Sequence, residues 1–221
     1  MSPDRSLLKR EVLRKSIHMA GFVIPLAYYF FIPRTLLLAI MGSAVAVAAI
    51  LELFRARGIP IFPSVLLRRH EEKGILAGYF YAVLSAFLAV LLFDKTIAIA
   101  AILFLDLGDG ITGLAGVIMT HGGKHNADMR DYGRQPGSVT GDLIYAVRNH
   151  KSPILMAVML IVCGLIGFAL YPSLMPVAIA AGAVGAMVAD AFPWRFFGVM
   201  VDDNLSIPLL SGALMILVGA H

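Results

Sequence analysis

Residues 96–120 read TIAIAAILFLDLGDGITGLAGVIMT, an apolar run long enough to cross a bilayer of about 30 Å as one helix. Two carboxylates interrupt this run, Asp106 and Asp109. On an α-helix, a spacing of three residues places both on one face. Each aspartate costs about 2.5–3.5 kcal/mol near the centre of a membrane. We therefore interpret the pair as facing a bundle interior or an aqueous cavity, where such residues usually mark function.

The rest of the chain has the same apolar character. Of its 221 residues, 59% are hydrophobic and 14% are charged, against roughly 25% charged in a soluble domain. Six further apolar runs are evident, at residues 17–32, 35–54, 74–93, 153–171, 174–192 and 204–221. Because backbone polar groups cannot stay unpaired in lipid, these runs must be helices. The sequence predicts an all-α fold, a polytopic membrane bundle of about seven transmembrane helices, with residues 1–221 as one domain.

The basic residues predict the orientation of this bundle. Of the 18 lysines and arginines, Arg34 and Lys95 fall in the loops after the first and third runs. The others fall in residues 1–16, 55–73 and 121–152 and at Arg195. Since positive residues concentrate on the cytoplasmic side, the N-terminus is predicted to be cytoplasmic and the C-terminus outside. The net charge of +4 is then a topology signal, and no nucleic-acid partner is expected.

The aspartate pair suits two kinds of chemistry. Mg²⁺ is typically held by one or two carboxylates together with substrate phosphates, and a carboxylate can also act as a general base toward a hydroxyl group. Glycines at 108, 110, 113 and 116 would let a phosphate or another helix approach the backbone closely. The alternative is a structural pair at a glycine-rich helix crossing.

Two charged segments precede apolar runs. The first reads Glu11-Val12-Leu13-Arg14-Lys15-Ser16-Ile17-His18, and the second reads Arg68-Arg69-His70-Glu71-Glu72-Lys73. In the first segment, Arg14 and His18 share one helix face, while Glu11 and Lys15 can pair on another. Each segment is either a binding site at the membrane entrance or a set of residues that only fixes topology.

The longest polar segment runs from residue 121 to 151. It contains Gly122-Gly123-Lys124, then Arg134, then Gly137-Ser138-Val139-Thr140-Gly141. Exposed backbone N–H groups and interspersed basic side chains favour a phosphate, although the spacing is not that of a Walker loop.

Four further acidic residues lie at the ends of apolar runs. Asp202-Asp203-Asn204 precedes the last run, as a metal or ribose site or as a simple helix start capped by Asn204. Glu52 and Asp190 lie at the inner ends of their runs, and we interpret both as structural partners of arginines.

Taken in order, these motifs resemble those of the CTP-dependent lipid kinases, which include dolichol, polyprenol and phytol kinases and CTP-dependent diacylglycerol kinase. Four segments carry the resemblance: Glu11-x-x-Arg14-Lys15-x-x-His18; Arg69-x-x-Glu72 with Gly78; Gly108-Asp109 with Gly113, Gly116 and Gly123-Lys124; and Asp202-Asp203-Asn204-Leu205-Ser206-Ile207-Pro208. The chain departs from the family at residues 137–141, where the usual Lys-Ser/Thr-x-Glu-Gly lacks its lysine and glutamate.

The resemblance implies a kinase that transfers the γ-phosphate of CTP to the hydroxyl of a membrane lipid alcohol, with a polyprenol or dolichol as the expected acceptor. It implies catalytic roles for Asp109, Asp106, Lys15 and Arg14, and Mg²⁺ ligation by Asp109, Asp202 and Asp203. The nucleotide-binding residues that it implies are Arg69, Glu72, Gly108, Gly113, Gly123, Lys124, Arg134, Ser138 and Asn204.

Two alternatives stay open at this point. One is a CTP:lipid-phosphate cytidylyltransferase, which would use similar charged groups but release pyrophosphate. The other is a transporter with Asp106 and Asp109 as a cation site at the midplane of the membrane. For the enzyme, the active site is expected to face the cytoplasm. The sequence leaves the oligomeric state open.

Overall fold

The computed structural model describes residues 5–59, 76–119, 138–197 and 199–219, without the side chains of residues 5–8, 10 and 11. Within these ranges the chain is mostly helical, as predicted. The helices are α1 Arg5–Ala20, α2 Val23–Phe30, α3 Arg34–Ala56, α4 Gly78–Leu92, α5 Lys95–Leu103, α6 Gly110–Met119, α7 Val139–Arg148, α8 Pro153–Ala169, α9 Pro176–Ala191 and α10 Asp203–Leu217. A π-helical segment, Phe104–Asp109, joins α5 to α6, and the strands β1 Arg195–Phe196 and β2 Val199–Met200 form a small antiparallel hairpin.

The long helices coincide with the apolar runs. Two helical stretches are long and apolar enough to cross a membrane, Arg34–Ala56 and the continuous stretch Lys95–Met119. The pair α7 and α8 would form a third candidate, bent by 93° where the two helices meet. Helices α4, α9 and α10 are apolar but shorter.

The first apolar run is not one helix. Helix α1 ends at Ala20 and α2 begins at Val23. At the break, a Cβ atom on Gly21 would lie only 3.0 Å from the carboxyl group of Asp106. The helix is therefore interrupted beside this buried acid, a contact that sequence spacing alone does not reveal.

The centre of the molecule is the stretch Lys95–Met119. The most apolar 18 residues of this stretch are 83% buried inside the protein, whereas the most apolar 18 residues of α3 are 22% buried. Small residues allow close packing around it. Between α9 and α10, for example, a Cβ on Gly185 would lie 3.0 Å from the Cα of Ser211. The core is thus built from helices in near backbone contact.

The two isolated basic residues bind helix ends at one end of the bundle. Arg34 donates to the carbonyl oxygens of Val90 and Leu91 at 3.1 and 2.9 Å, and Lys95 donates to that of Tyr29 at 3.2 Å. The carbonyls in the last turn of a helix lack intrahelical partners. Both cations therefore satisfy helix C-terminal carbonyls, of α4 and of α2.

The buried Glu52 connects the C-terminal end of α3 to the N-terminal end of α4. It accepts hydrogen bonds from Arg55 at 2.6 Å, from the Tyr79 hydroxyl at 2.5 Å and from the backbone N–H of Ala77 at 3.3 Å. The prediction of an arginine partner is confirmed here. Asp190 pairs with a lysine, Lys151, at 2.5 Å, and an arginine partner for it stays a prediction.

Candidate functional site

The π-helical segment positions the predicted aspartate pair. A π-helical turn inside an α-helix is rare and is frequently found at functional sites. Both Asp106 and Asp109 lie in this segment and are buried, and both face the N-terminal part of the chain, Asp106 beside Gly21 and Asp109 beside Lys15. The two carboxylates therefore lie on the same side of their helix, as predicted, but the helix there is a π-helix and not the α-helix on which the prediction was based.

Asp109 is held by a buried lysine from α1. The ammonium nitrogen of Lys15 lies 2.6 Å from Oδ2 of Asp109 and 3.3 Å from its backbone oxygen. The Lys15 side chain passes over Gly113, where a Cβ atom would overlap its Cε. Gly113 thus makes room for the lysine, a different use from the phosphate contact that the resemblance implies.

His18 adds a third polar group on the same side. Its Nε2 lies 3.5 Å from Oδ2 of Asp109 and 3.2 Å from the carbonyl oxygen of Leu105, inside the π-helical segment. Because a carbonyl oxygen only accepts, the second contact is a hydrogen bond when Nε2 carries hydrogen. The motif predicted at the membrane entrance therefore reaches the aspartate through both Lys15 and His18.

Two further carboxylates meet Asp109. Asp190, in the last turn of α9, and Asp203, in the first turn of α10, each offer an oxygen, and the three oxygens lie within 4.8 Å of one another. All three residues are buried. We call this group the carboxylate cluster. Like charges at this separation repel strongly and need cations close by.

Two lysines supply much of that compensation. Lys15 pairs with Asp109, and Lys151, which precedes α8, pairs with Asp190 at 2.5 Å. Both lysines are about 5% exposed. The cluster thus combines three carboxylate oxygens, a type of ligand that divalent cations prefer, with two ammonium groups at its sides.

The acidic pair before the last helix divides between two tasks. Asp202 is the N-cap of α10, accepting from the backbone N–H of Asn204 at 2.9 Å and from its side-chain amide at 2.7 Å. The N-cap is therefore Asp202, whereas the structural alternative in the sequence analysis predicted Asn204 as the cap. Asp203 joins the carboxylate cluster, which does not include Asp202.

The remaining predicted site residues have other contacts or lie outside the described residues. A Cβ on Gly108 would lie 2.8 Å from Sγ of Cys163 in α8, so this glycine permits helix packing. Ser138 is exposed and caps α7, accepting from the backbone N–H of Gly141 at 3.1 Å. Arg14 is half-buried on α1 next to Lys15. Five predicted nucleotide-binding residues lie outside the described residues: Arg69, Glu72, Gly123, Lys124 and Arg134.

Sequence reasoning missed the contributions of Asp190 and Lys151 to this site. Each is a single charged residue at the end of an apolar run, a position where topology signals and helix-end partners are common. The sequence does not show that Lys151 and Asp190, which are 39 positions apart, form an ion pair in the folded protein. The only signal in the sequence was Asp190 itself, because an acidic residue inside an apolar run such as 174–192 is energetically unfavourable unless it has a functional or structural role.

The donor set is compatible with a divalent cation. Mg²⁺ binds oxygen at 2.0–2.1 Å, so its ligands lie roughly 3–4 Å apart, and three oxygens within 4.8 Å need to close only slightly. The flanking ammonium groups suit phosphate oxygens. A carboxylate in such a group can also accept a proton from a hydroxyl. No protein-family model, curated protein or solved structure matches the chain.

Proposed function

We propose that this protein is an integral membrane kinase that transfers the γ-phosphate of CTP to the hydroxyl of a lipid alcohol, a polyprenol or dolichol. The observation that carries the proposal is the carboxylate cluster with its two lysines. It brings together residues of the first, central and last motifs. The choice of CTP and of the acceptor class rests on the resemblance to the CTP-dependent lipid kinases.

The proposed membrane arrangement has seven spans, with the N-terminus in the cytoplasm and the C-terminus outside. It is supported by the meeting of the start of α8, the end of α9 and the start of α10 at one cluster, as antiparallel neighbours require. It is also supported by Arg34 and Lys95, which bind helix ends at the opposite end of the bundle. The cluster then faces the cytoplasm, where CTP is available.

In this proposal Asp109, Asp190 and Asp203 would hold Mg²⁺, which would supply positive charge for the phosphate oxygens. Lys15 and Lys151 neutralise the phosphates from either side of the cluster. Phosphoryl transfer depends mostly on such positioning and electrostatic stabilisation. Asp106 and Arg14 flank the group and stay predicted contributors.

The proposed phosphoryl transfer is a single displacement at the γ-phosphorus of CTP. The alcohol oxygen attacks the γ-phosphorus, and its proton passes to the carboxylate of Asp106, because Asp109 is engaged by Lys15 and by the metal site. The bond from the γ-phosphorus to the bridging oxygen breaks, and CDP leaves with that oxygen.

Purified protein tests the reaction directly. With CTP labelled at the γ-phosphate, a polyprenol and Mg²⁺, we expect labelled polyprenyl phosphate together with CDP. Pyrophosphate released from CTP with a lipid phosphate as acceptor would instead identify the cytidylyltransferase, and the absence of both products would contradict the proposal.

The Asp109→Asn variant tests the assignment. We expect it to lose more than about a hundredfold in kcat, the range for the loss of a group with an electrostatic role in the site. The matched control is Asp94→Asn, an exposed aspartate just before α5 in the same stretch of chain. Normal turnover by Asp109→Asn would remove Asp109 from the chemistry.

A further inference from the structure

Helix α7 presents an apolar face to the outside of the protein. Its exposed apolar residues are Val139, Leu143, Ile144 and Val147, which are 48–63% exposed. Their spacing places them along one side of the helix. On another side, Asp142 and Ala146 are buried against the protein. A helix of this kind is amphipathic, and its apolar side is turned away from the bundle.

Helix α8 also exposes apolar residues to the outside of the protein. Helix α8 exposes Ile161, Leu165 and Phe168, each more than 60% exposed. Because α7 meets α8 at 93°, a membrane-crossing α8 leaves α7 roughly parallel to the membrane plane. Amphipathic helices in that position bury their apolar side at the boundary between headgroups and acyl chains.

A second exposed apolar element lies beside α7. In the hairpin of β1 and β2, Phe196 and Phe197 are 65% and 76% exposed. Phe197 has a φ of 50°, a conformation that is unfavourable for a bulky side chain. Such strain is typical of functional positions, and exposed aromatic rings are typical of the membrane interface.

The two elements are joined to each other and to the carboxylate cluster. The guanidinium carbon of Arg195 in β1 lies 3.6 Å from the ring centre of Tyr145 in α7, a cation–π contact. The backbone N–H of Lys151 donates to the carbonyl of Ala191 at 2.9 Å. The junction between α7 and α8 therefore contacts the end of α9, one residue from Asp190.

We infer that the apolar side of α7 and the tip of the hairpin form an interfacial platform that inserts into the headgroup boundary of the lipid bilayer. The partner is the lipid surface itself. The platform holds the adjacent carboxylate cluster at the depth where a lipid hydroxyl meets water. This inference rests on the membrane embedding under the proposed function, and not on the kinase chemistry.

Spin labels in phospholipid vesicles test the platform. The native cysteine, Cys163, is buried and is replaced by serine for labelling. Nitroxides at Val147→Cys and Phe197→Cys should collide several-fold more with oxygen, relative to a water-soluble nickel chelate, than one at Asn149→Cys. Asn149 is the control, since it is an exposed polar residue directly after the end of α7. Leu165→Cys in α8 reports the embedding itself.

The outcomes separate the two claims. Chelate access at Val147 and Phe197, with Leu165 protected, would overturn the platform and leave the embedding intact. Chelate access at all three would overturn both. The unmodified protein gives an independent measurement, because Trp194 before the hairpin is its single tryptophan. Lipids brominated near the headgroup should quench its fluorescence more than lipids brominated near the chain ends. Equal quenching by both lipids, or no quenching by either, would contradict the platform.

Discussion

The side chain of Lys15 reaches Asp109 only because position 113 has no side chain. A Cβ at Gly113 would overlap Cε of Lys15, and it would lie 2.8 Å from the ammonium nitrogen. The contact comes from the folded protein and not from the local sequence, in which the glycine resembles those of any close helix crossing. A single methyl group therefore tests whether the placement of this lysine matters.

For the Gly113→Ala variant we expect a loss of about a hundredfold in kcat/KM, because a displacement of 1 Å at a reacting group has about that cost. The control is Gly164→Ala in α8, where no atom lies within 4 Å of the added Cβ. That change should leave activity unchanged and slightly raise the free energy of unfolding, since alanine favours a helix over glycine. Equal activity for both variants would show that the position of Lys15 is unimportant.

The buried pair of Lys151 and Asp190 allows stability and function to be separated. Asp190→Asn alone leaves a buried ammonium without its carboxylate partner and should lower the free energy of unfolding by about 3–5 kcal/mol. The double variant with Lys151→Met should recover most of that loss, because both charges are gone. Denaturant titration in detergent measures the stability.

Activity then decides what the pair does. If it belongs to the catalytic machinery, the double variant should remain inactive after its stability has been recovered. A stable double variant with normal turnover would make Asp190 and Lys151 structural and would remove one carboxylate from the proposed magnesium site.

At the scale of elements, the sequence predicted what depends on apolar length and missed what depends on contacts. The runs at 35–54 and 153–171 became α3 and α8 because length and composition define such helices. The break at Gly21, which lies beside Asp106, and the π-helical segment, which contains Asp109, have no such signal in the sequence. Helix α7 was missed because a short amphipathic helix beside charged residues resembles a polar loop.

The start of α7 gives a sharp test of Ser138. The resemblance implies a nucleotide-binding serine, whereas the observed contact is that of an N-cap. Ser138→Asp preserves capping, since aspartate caps about as well as serine, but it places a negative charge near any bound phosphate.

If Ser138 only caps α7, Ser138→Asp should keep the KM for CTP within about twofold, while Ser138→Ala lowers stability by roughly 1 kcal/mol. If it binds phosphate, Ser138→Asp should raise this KM far more than Ser138→Ala does. A kinetic comparison of the two variants distinguishes the roles, and the second result would reinstate the nucleotide contact.

At the scale of the whole molecule, charge is sorted between the two ends of the bundle. One end contains Arg34 and Lys95, each occupied by the carbonyls of a neighbouring helix end. The other contains the lysines of the carboxylate cluster. Cations that only satisfy helix ends do not attract a nucleotide, so the distribution supports one functional end. That end is cytoplasmic in the proposed topology.

Cysteine labelling of intact cells tests this polarity. Cys163 is buried and should not react with a membrane-impermeant maleimide, so single cysteines can be added to the natural chain. Asp94→Cys lies in the exposed turn between α4 and α5, and Asn149→Cys lies in the exposed turn between α7 and α8. With the N-terminus in the cytoplasm, Asp94→Cys should be labelled in intact cells and Asn149→Cys only after permeabilisation. The reverse pattern would turn the carboxylate cluster away from cytoplasmic CTP, and the proposed reaction would lose its donor even if every contact in the cluster were correct.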